Sequence, residues 1–304
     1  MTFRLIEAEK AQHPVSLLCS VLGVTRAGYY AWRRRGLSRR ALGDAELASL
    51  IGRVFVESLE TYGSPRVHAE LREAHGIRVG RKRVARLMRQ LELEGVSRRR
   101  KRRRTTIADP AAAPAPDLVG RRFTASRPNE LWLADITCLP TREGWLFLAV
   151  VLDAFSRRIV GWSMRDDLKA ELVVDALAMA VTRRKPPVGV VHHSDRGSQY
   201  TSLAFGTTLR ESGLVASMGR RGDAYDNAAC ESVISTIKNE LIKRRSWTSR
   251  DQARLAVFSY IETFYNPRRR HSALGYRSPA DYELEYERIK KEEPTNTLEA
   301  TIAA

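Results

Sequence analysis

Apolar residues change their spacing along the chain, and the changes divide it. Over residues 14 to 35 the period is helical: Leu17, Leu18 and Val21 form a short stripe, Gly23 breaks it, and a second helix runs from Thr25 to Arg34. That is the outline of a helix-turn-helix. The second helix carries Tyr29, Tyr30 and Trp32 beside Arg33, Arg34 and Arg35, a surface suited to phosphate contact. Helical spacing resumes over Ala45 to Ser58, Pro65 to Ala74 and Arg81 to Glu94. In the last of these, Val84, Leu87, Met88 and Leu91 keep one side while Arg81, Lys82, Arg83, Arg86 and Arg89 cover the other.

From about Pro128 the pattern becomes that of strands. Trp132 to Leu139, Trp145 to Asp153 and Arg158 to Met164 are apolar or alternating runs joined by short turns, which predicts linked hairpins. A helix over Leu168 to Thr182 follows, with Leu172, Val173, Ala176, Leu177 and Val181 as its buried stripe. Then come a strand from Val188 to Asp195, a helix around Tyr200 to Glu211, a strand over Leu214 to Met218, and a long helix from Asp226 to about Lys243. An amphipathic helix over Arg250 to Tyr265 and a charged helical tail after Pro279 complete the chain, and residues from about Glu293 are expected to lack structure.

Charge changes the picture. The net charge is +17 over 304 residues. Residues 1–106 hold 24 Lys and Arg against 10 Asp and Glu, so +14 of the total sits there. Such asymmetry points to nucleic acid or an anionic surface as the partner. The run Arg98, Arg99, Arg100, Lys101, Arg102, Arg103, Arg104 has no apolar group to bury, and it leads into the linker-like Ala111-Ala112-Ala113-Pro114-Ala115-Pro116. A basic tether of this kind binds phosphate by counterion release without reading bases. No stretch has the length of a transmembrane helix and the first residues lack a signal-peptide core, so a cytoplasmic, membrane-free location is expected. Cys19, Cys138 and Cys230 show no paired spacing, so neither a disulfide framework nor a zinc knuckle is indicated. The divisions are 1–40, a helix-turn-helix-like segment; 41–96, a second helical DNA-binding unit; 97–122, the linker; 123–246, an α/β core; and 247–304, a helical extension and tail.

Three acids carry the candidate chemistry. Asp135 lies inside the first predicted strand, Asp195 ends the fourth, and Glu231 sits on the long helix 35 residues further on. Carboxylates at the ends of apolar strands need a cationic partner or a metal, because burying an unpaired charge is costly. With the first strand central and the fourth beside it in parallel, Asp135 and Asp195 would stand roughly 5 Å apart. Such a pair suits Mg²⁺, and two ions about 4 Å apart would stabilise attacking and leaving oxygens at phosphorus. On the long helix Asn227, Glu231, Ser235 and Lys238 share one face beside Val233, Ile234, Ile237 and Leu241. Lys238 is thereby placed to meet DNA. Simpler roles suit other residues: hydrogen-bonded strand ends for His192 and His193, a turn cap for Asp153, and helix N-terminal positions for Asp223 and Asp226.

The surrounding residues resemble a known family. Three antiparallel strands followed by alternating helix and strand is the order of the ribonuclease-H-like fold, a mixed five-stranded sheet with helices. The Asp135, Asp195, Glu231 set is similar to the triad of retroviral integrases and related transposases. Arg127-Pro128-Asn129-Glu130-Leu131-Trp132, His193-Ser194-Asp195-Arg196-Gly197-Ser198-Gln199-Tyr200, Asp226-Asn227-Ala228, Lys238, and Tyr265-Asn266-Pro267-Arg268-Arg269-Arg270-His271 together resemble the OrfB transposase of the bacterial insertion-sequence-three family. Val233-Ile234 departs from it, standing where the family usually carries an aromatic pair.

The resemblance implies a Mg²⁺-dependent enzyme, with Mn²⁺ an alternative, that binds Asp135, Asp195 and Glu231 to metal. It would cleave element ends with water and transfer the freed 3′-hydroxyl to another phosphodiester. It also implies duplex DNA, both element ends and target, an OrfA partner or OrfAB fusion, a homo-oligomer on DNA, and a nucleoid-associated place in a bacterial cytoplasm. Asn227, Lys238, the 98–104 run, Arg268, Arg269, Arg270 and His271 are the candidate DNA contacts. Two other readings stay open: a transposase-derived DNA-binding regulator with a silent core, and a plain nuclease of the ribonuclease H type.

Overall fold

The computed structural model describes residues 2–36, 38–96, 117–119, 124–219 and 228–302. Helices α1 (Thr2–Glu9), α2 (Val15–Val21) and α3 (Arg26–Arg34) form the first unit, around Ile6, Cys19 and Tyr29. Thr25 caps α3 by accepting the Gly28 N–H at 3.0 Å. Tyr29 is fully buried there and its hydroxyl donates to Glu7, so this ring serves the core and not the phosphate-facing surface expected of it. Trp32 packs against the same core, its ring against Phe3 and Tyr29, while Tyr30 is exposed.

The second unit is α4 (Arg39–Glu57), α5 (Ser64–Glu73) and α6 (Arg81–Gln90). Leu47, Ile51, Val54, Val67, Leu71, Val84, Leu87 and Met88 close its interior. Two arginines of the expected basic face are partly neutralised: Arg83 and Arg86 each reach Asp44 at 2.7 Å. The interior of this unit runs on into that of the α/β core. The expected tether, including Arg98 to Arg104, lies outside the described residues.

The core sheet comprises β1 (Leu131–Thr141), β2 (Gly144–Asp153), β3 (Ile159–Arg165), β4 (Val191–Ser194) and β5 (Val215–Met218), in the order β3-β2-β1-β4-β5. The β1–β2 and β2–β3 pairs are antiparallel; β1–β4 and β4–β5 are parallel. Helices α7 (Ala170–Arg184) and α8 (Leu203–Glu211) alternate with the parallel strands, followed by α9 (Ala228–Glu240). Strand β4 is half the length expected, starting at Val191, because Gly189 turns the chain at φ +95° and is held by the Gly213 carbonyl.

Alternation along the strands sorts the sheet into two faces. Trp132, Ala134, Ala149, Val151 and Val160 pack under α7 and α8 with Leu172, Leu177 and Phe205. Contact is close enough that a Cβ on Gly161 would sit 2.2 Å from the Ala176 carbonyl oxygen. Leu131, Leu133, Leu148 and Val150 face the other way, against Cys230, Val233, Ile234 and Ile237 of α9. Two of the three cysteines are buried and all are free.

The C-terminal part is α10 (Arg250–Ser259), a π-helical turn over Tyr260–Tyr265, and α11 (Pro279–Ile302). The π turn interrupts the single helix expected there and turns Tyr260, Ile261, Phe264 and Tyr265 inward together. Helix α11 continues through the stretch expected to lack structure, with its helical hydrogen bonds carried on to Ile302. Among the described residues no helix is long and apolar enough to cross a membrane.

Candidate active site

Register brings the first two acids together. Leu131 pairs with Val191 and Leu133 with His193 across β1 and β4, so continuing that register two residues sets Asp135 level with Asp195. Strands so paired lie about 4.8 Å apart. Asp135 has the same parity as Leu131 and Leu133, and therefore points to the side of the sheet that α9 covers. Cys230 fixes that helix, its sulfur lying 3.9 Å from the Leu133 carbonyl, and Glu231 is the next residue.

The electrostatics reflect this convergence. Burial pushes the Asp135 carboxyl up to about 7, the Asp195 and Glu231 charges push the same way, and the Ile136 N–H and Lys238 pull back. The Ile136 N–H donates to Asp135 Oδ1 at 2.8 Å. Asp195 is exposed at the strand end, where its Oδ1 accepts the Gly197 N–H at 3.1 Å. Crowding by the surrounding protein still raises its proton affinity above the usual carboxylate range, against that hydrogen bond. Lys238, two turns after Glu231 on α9, is the cation that acts on Asp135.

Tyr200, within the motif that follows Asp195, has no role legible in the sequence. Its buried hydroxyl has no hydrogen-bond partner and lies in the field of Asp135 and Asp195. The signal available in sequence was only its place five residues after Asp195. Together these groups fit a hard divalent cation: the donors are carboxylate oxygens, burial and neighbouring acids outweigh the Ile136 N–H and Lys238 at Asp135, and an orphaned hydroxyl lies in the field of the acids. Among the described residues no three Asp, Glu, His or Cys side chains are gathered as a ready metal-binding group, so a bound ion would draw the acids closer than they stand.

Asp153 and His193 take the simpler roles expected of them; the buried His192 Nε2 has no hydrogen-bond partner among the described residues, and Asp223 and Asp226 lie outside those residues. Asp153 accepts the N–H groups of Asn129, Phe155 and Ser156 at 2.8, 3.0 and 3.2 Å, as a turn cap does. His193 Nδ1 is 2.9 Å from the Ser217 hydroxyl. His192 lies on the opposite sheet face, its ring edge-on to Phe205, and burial pushes its pKa down to about 4.

The arginine run divides. Arg269, expected to contact DNA, is fully buried: its guanidinium meets both Glu240 oxygens, at 2.7 and 2.5 Å. Tyr260 donates to the same carboxylate at 2.8 Å, and Arg66 joins at 3.2 Å. Burial raises the Glu240 carboxyl, but these donors outweigh it and hold it below its ordinary value. Arg270 is tied to Glu70 at 2.7 Å and to the Tyr276 carbonyl, and His271 is buried. Both are committed to the fold because the segment turns back between α9 and the helical units. Arg268 remains exposed, 3.7 Å from Glu57. Asn227 lies outside the described residues.

Comparison with known proteins matches this architecture. An integrase core domain family matches residues 125–224, a second integrase core family residues 212–279, and an HTH-like domain family residues 42–102. The transposase for insertion sequence element IS629 of Shigella sonnei is 41% identical over 93% of this chain and 95% of its own length. The transposase InsF for insertion sequence IS3A of Escherichia coli K12 is 39% identical over 93% of this chain and 98% of its own. Among solved structures, the HTLV-2 integrase catalytic core domain in complex with magnesium aligns with 52% of this chain and 99% of its own, at 16% identity and a TM-score of 0.41, too slight a likeness to carry weight. Identity of this order, sustained from the helical units to the C-terminal extension, places the chain in the insertion-sequence-three family of transposases.

Proposed function

We propose that this transposase cuts the ends of its element with water and joins the freed 3′-hydroxyl to a second phosphodiester, with Asp135, Asp195 and Glu231 as its catalytic acids. The observation that supports this most is the register of β1 and β4, which sets two acids level under the helix that carries the third. Mg²⁺, or Mn²⁺ in its place, held by these three residues as one or two ions, would supply Lewis-acid stabilisation of the oxygens entering and leaving phosphorus. The chain itself supplies the seat. Asp135 on the central strand and Glu231 on a helix locked to that strand are rigid supports, which is what precise positioning requires. Lys238 offers a charge to a phosphate of the strand end lying along α9. Arg268, Asn227 and the Arg98 to Arg104 run add phosphate contacts away from the acids, and the basic helical units provide sequence-independent affinity. The protein acts on duplex DNA in the bacterial cytoplasm as a homo-oligomer, with an OrfA partner or as an OrfAB fusion.

The test is cleavage and joining of an element-end duplex by Asp135→Asn and Asp195→Asn, with DNA binding measured in parallel. Each substitution keeps shape and removes a charge, so activity is lost while binding stays within about twofold of wild type. Near-normal cleavage by either variant contradicts the assignment at that position.

A further inference from the structure

Beside the catalytic helix lies a cleft of about 510 Å³ whose lining comes from four parts of the chain. Ser232, Thr236 and Asn239 of α9 line it together with Arg66 of the second helical unit, Arg157 of the turn after β2 and Tyr276 of the C-terminal part. The α9 wall begins at the residue next to Glu231. Two arginines here, Arg66 and Arg269, are spent on Glu240. Arg157 differs: its guanidinium has no hydrogen-bond or ion-pair partner among the described residues.

The backbone at Arg157 is held in place. It lies at φ +58°, donates its N–H to the Asp153 carbonyl at 2.8 Å and accepts the Tyr265 hydroxyl at 3.1 Å. Tyr276, which lines the same cleft, also lies in the left-handed region at φ +64°, pinned by its N–H to the His271 carbonyl. Neither residue is suited to that conformation, which costs of order 1 kcal/mol or more for a residue with a Cβ. Two such positions holding a free cation and a half-buried aromatic ring over one cleft are the two parts of a single-strand seat, one for phosphate and one for a base.

We propose that this cleft binds a short single-stranded DNA segment next to the reacting end, with a phosphate on Arg157 and a base on Tyr276. The size decides for a single strand: the space suits one or two nucleotides, whereas the major groove of a duplex is alone about 12 Å wide. The proposal rests on the transposase reading for its ligand and deepens it, assigning a strand-separating contact to residues outside the acid cluster.

Binding by the full-length protein tests it, with a blunt element-end duplex and the same duplex bearing a short single-stranded tail as probes. Arg157→Gly removes the cation and accepts the left-handed backbone without strain, so folding is preserved. It is expected to weaken binding of the tailed duplex by about tenfold, while blunt-duplex affinity changes less than about twofold. Tyr276→Ala gives a similar selective loss and Tyr276→Phe retains the affinity; a photoreactive iodouracil in the tail crosslinks to Tyr276. Asp135→Asn binds the tailed duplex as wild type does, so loss of catalysis and loss of this seat read out separately. Unchanged tail binding in both Arg157→Gly and Tyr276→Ala, an equal loss for blunt and tailed probes, a crosslink elsewhere, or a mononucleotide competing as tightly as the tail itself overturns the proposal.

Discussion

Two groups of charged side chains sit along α9, and they are built on opposite principles. At its C-terminal end Glu240 is surrounded by donors, with Arg269, Arg66 and Tyr260 all aimed at one carboxylate. Near its start Glu231 joins Asp135 and Asp195, where acid adds to acid and Lys238 is the opposing charge acting on Asp135. One cluster cancels itself and the other does not. The first joins the second helical unit, α9 and the C-terminal extension. The second carries a cost that protonation or an added cation would relieve, as perturbed carboxylates at functional sites often do.

The largest effects should break this contrast at its functional end. Glu231→Gln should lower strand transfer by at least about a thousandfold, since several kcal/mol of transition-state stabilisation are at stake and each 1.4 kcal/mol is tenfold; product formation from precleaved ends is the readout. At the scaffold end, Arg269→Ala should destabilise the fold by about 3–5 kcal/mol, because it strands a buried carboxylate. The pair Arg269→Met with Glu240→Met should recover much of that in urea denaturation, and no recovery would mean that the pair is not self-contained.

The pH dependence sharpens the comparison. Asp135 titrates near 7 in the fold, against 3.8 for its ordinary value. A carboxyl whose pKa is raised by folding costs stability as pH climbs through that window. Without metal, Asp135→Asn should therefore stabilise the protein at pH 8, by about 1–3 kcal/mol given roughly 1.4 kcal/mol per unit. The gain should vanish as pH falls to about 4. Glu240 has the opposite sign: its lowered pKa contributes stability that is present above the ordinary glutamate value and lost as pH falls through the folded one. Thermal melts of both variants across pH 4–8 in chelator check the two signs. The smallest effect concerns Lys238→Ala, which should impair transfer while shifting stability by no more than about 0.5 kcal/mol.

Much of the α/β core was legible because its information is local. The alternation in Trp132 to Leu139 and Trp145 to Asp153 marks the strands, and the placement of Asp135 and Asp195 on β1 and after β4 follows from pattern and strand order. Asp153 was legible as a cap because the donors from Phe155 and Ser156 are close in sequence. The run Arg268 to His271 was not. Its partners, Glu240 and Glu70, stand about thirty and two hundred residues upstream, so no spacing distinguishes a buried arginine from a surface one. Tyr29 misled for a related reason: an aromatic between basic residues suits either DNA or a core, and only the packing of α1 against α3 decides.

The central claim is that Asp135 and Asp195, with Glu231, form a cation seat. Diffraction from crystals soaked in Mn²⁺, recorded at the manganese edge, tests it most directly. The account predicts an anomalous peak bonded to the Asp135 and Asp195 carboxylates and abolished in Asp135→Asn. A peak bound elsewhere, or none at these residues when Mn²⁺ supports strand transfer in solution, would contradict it.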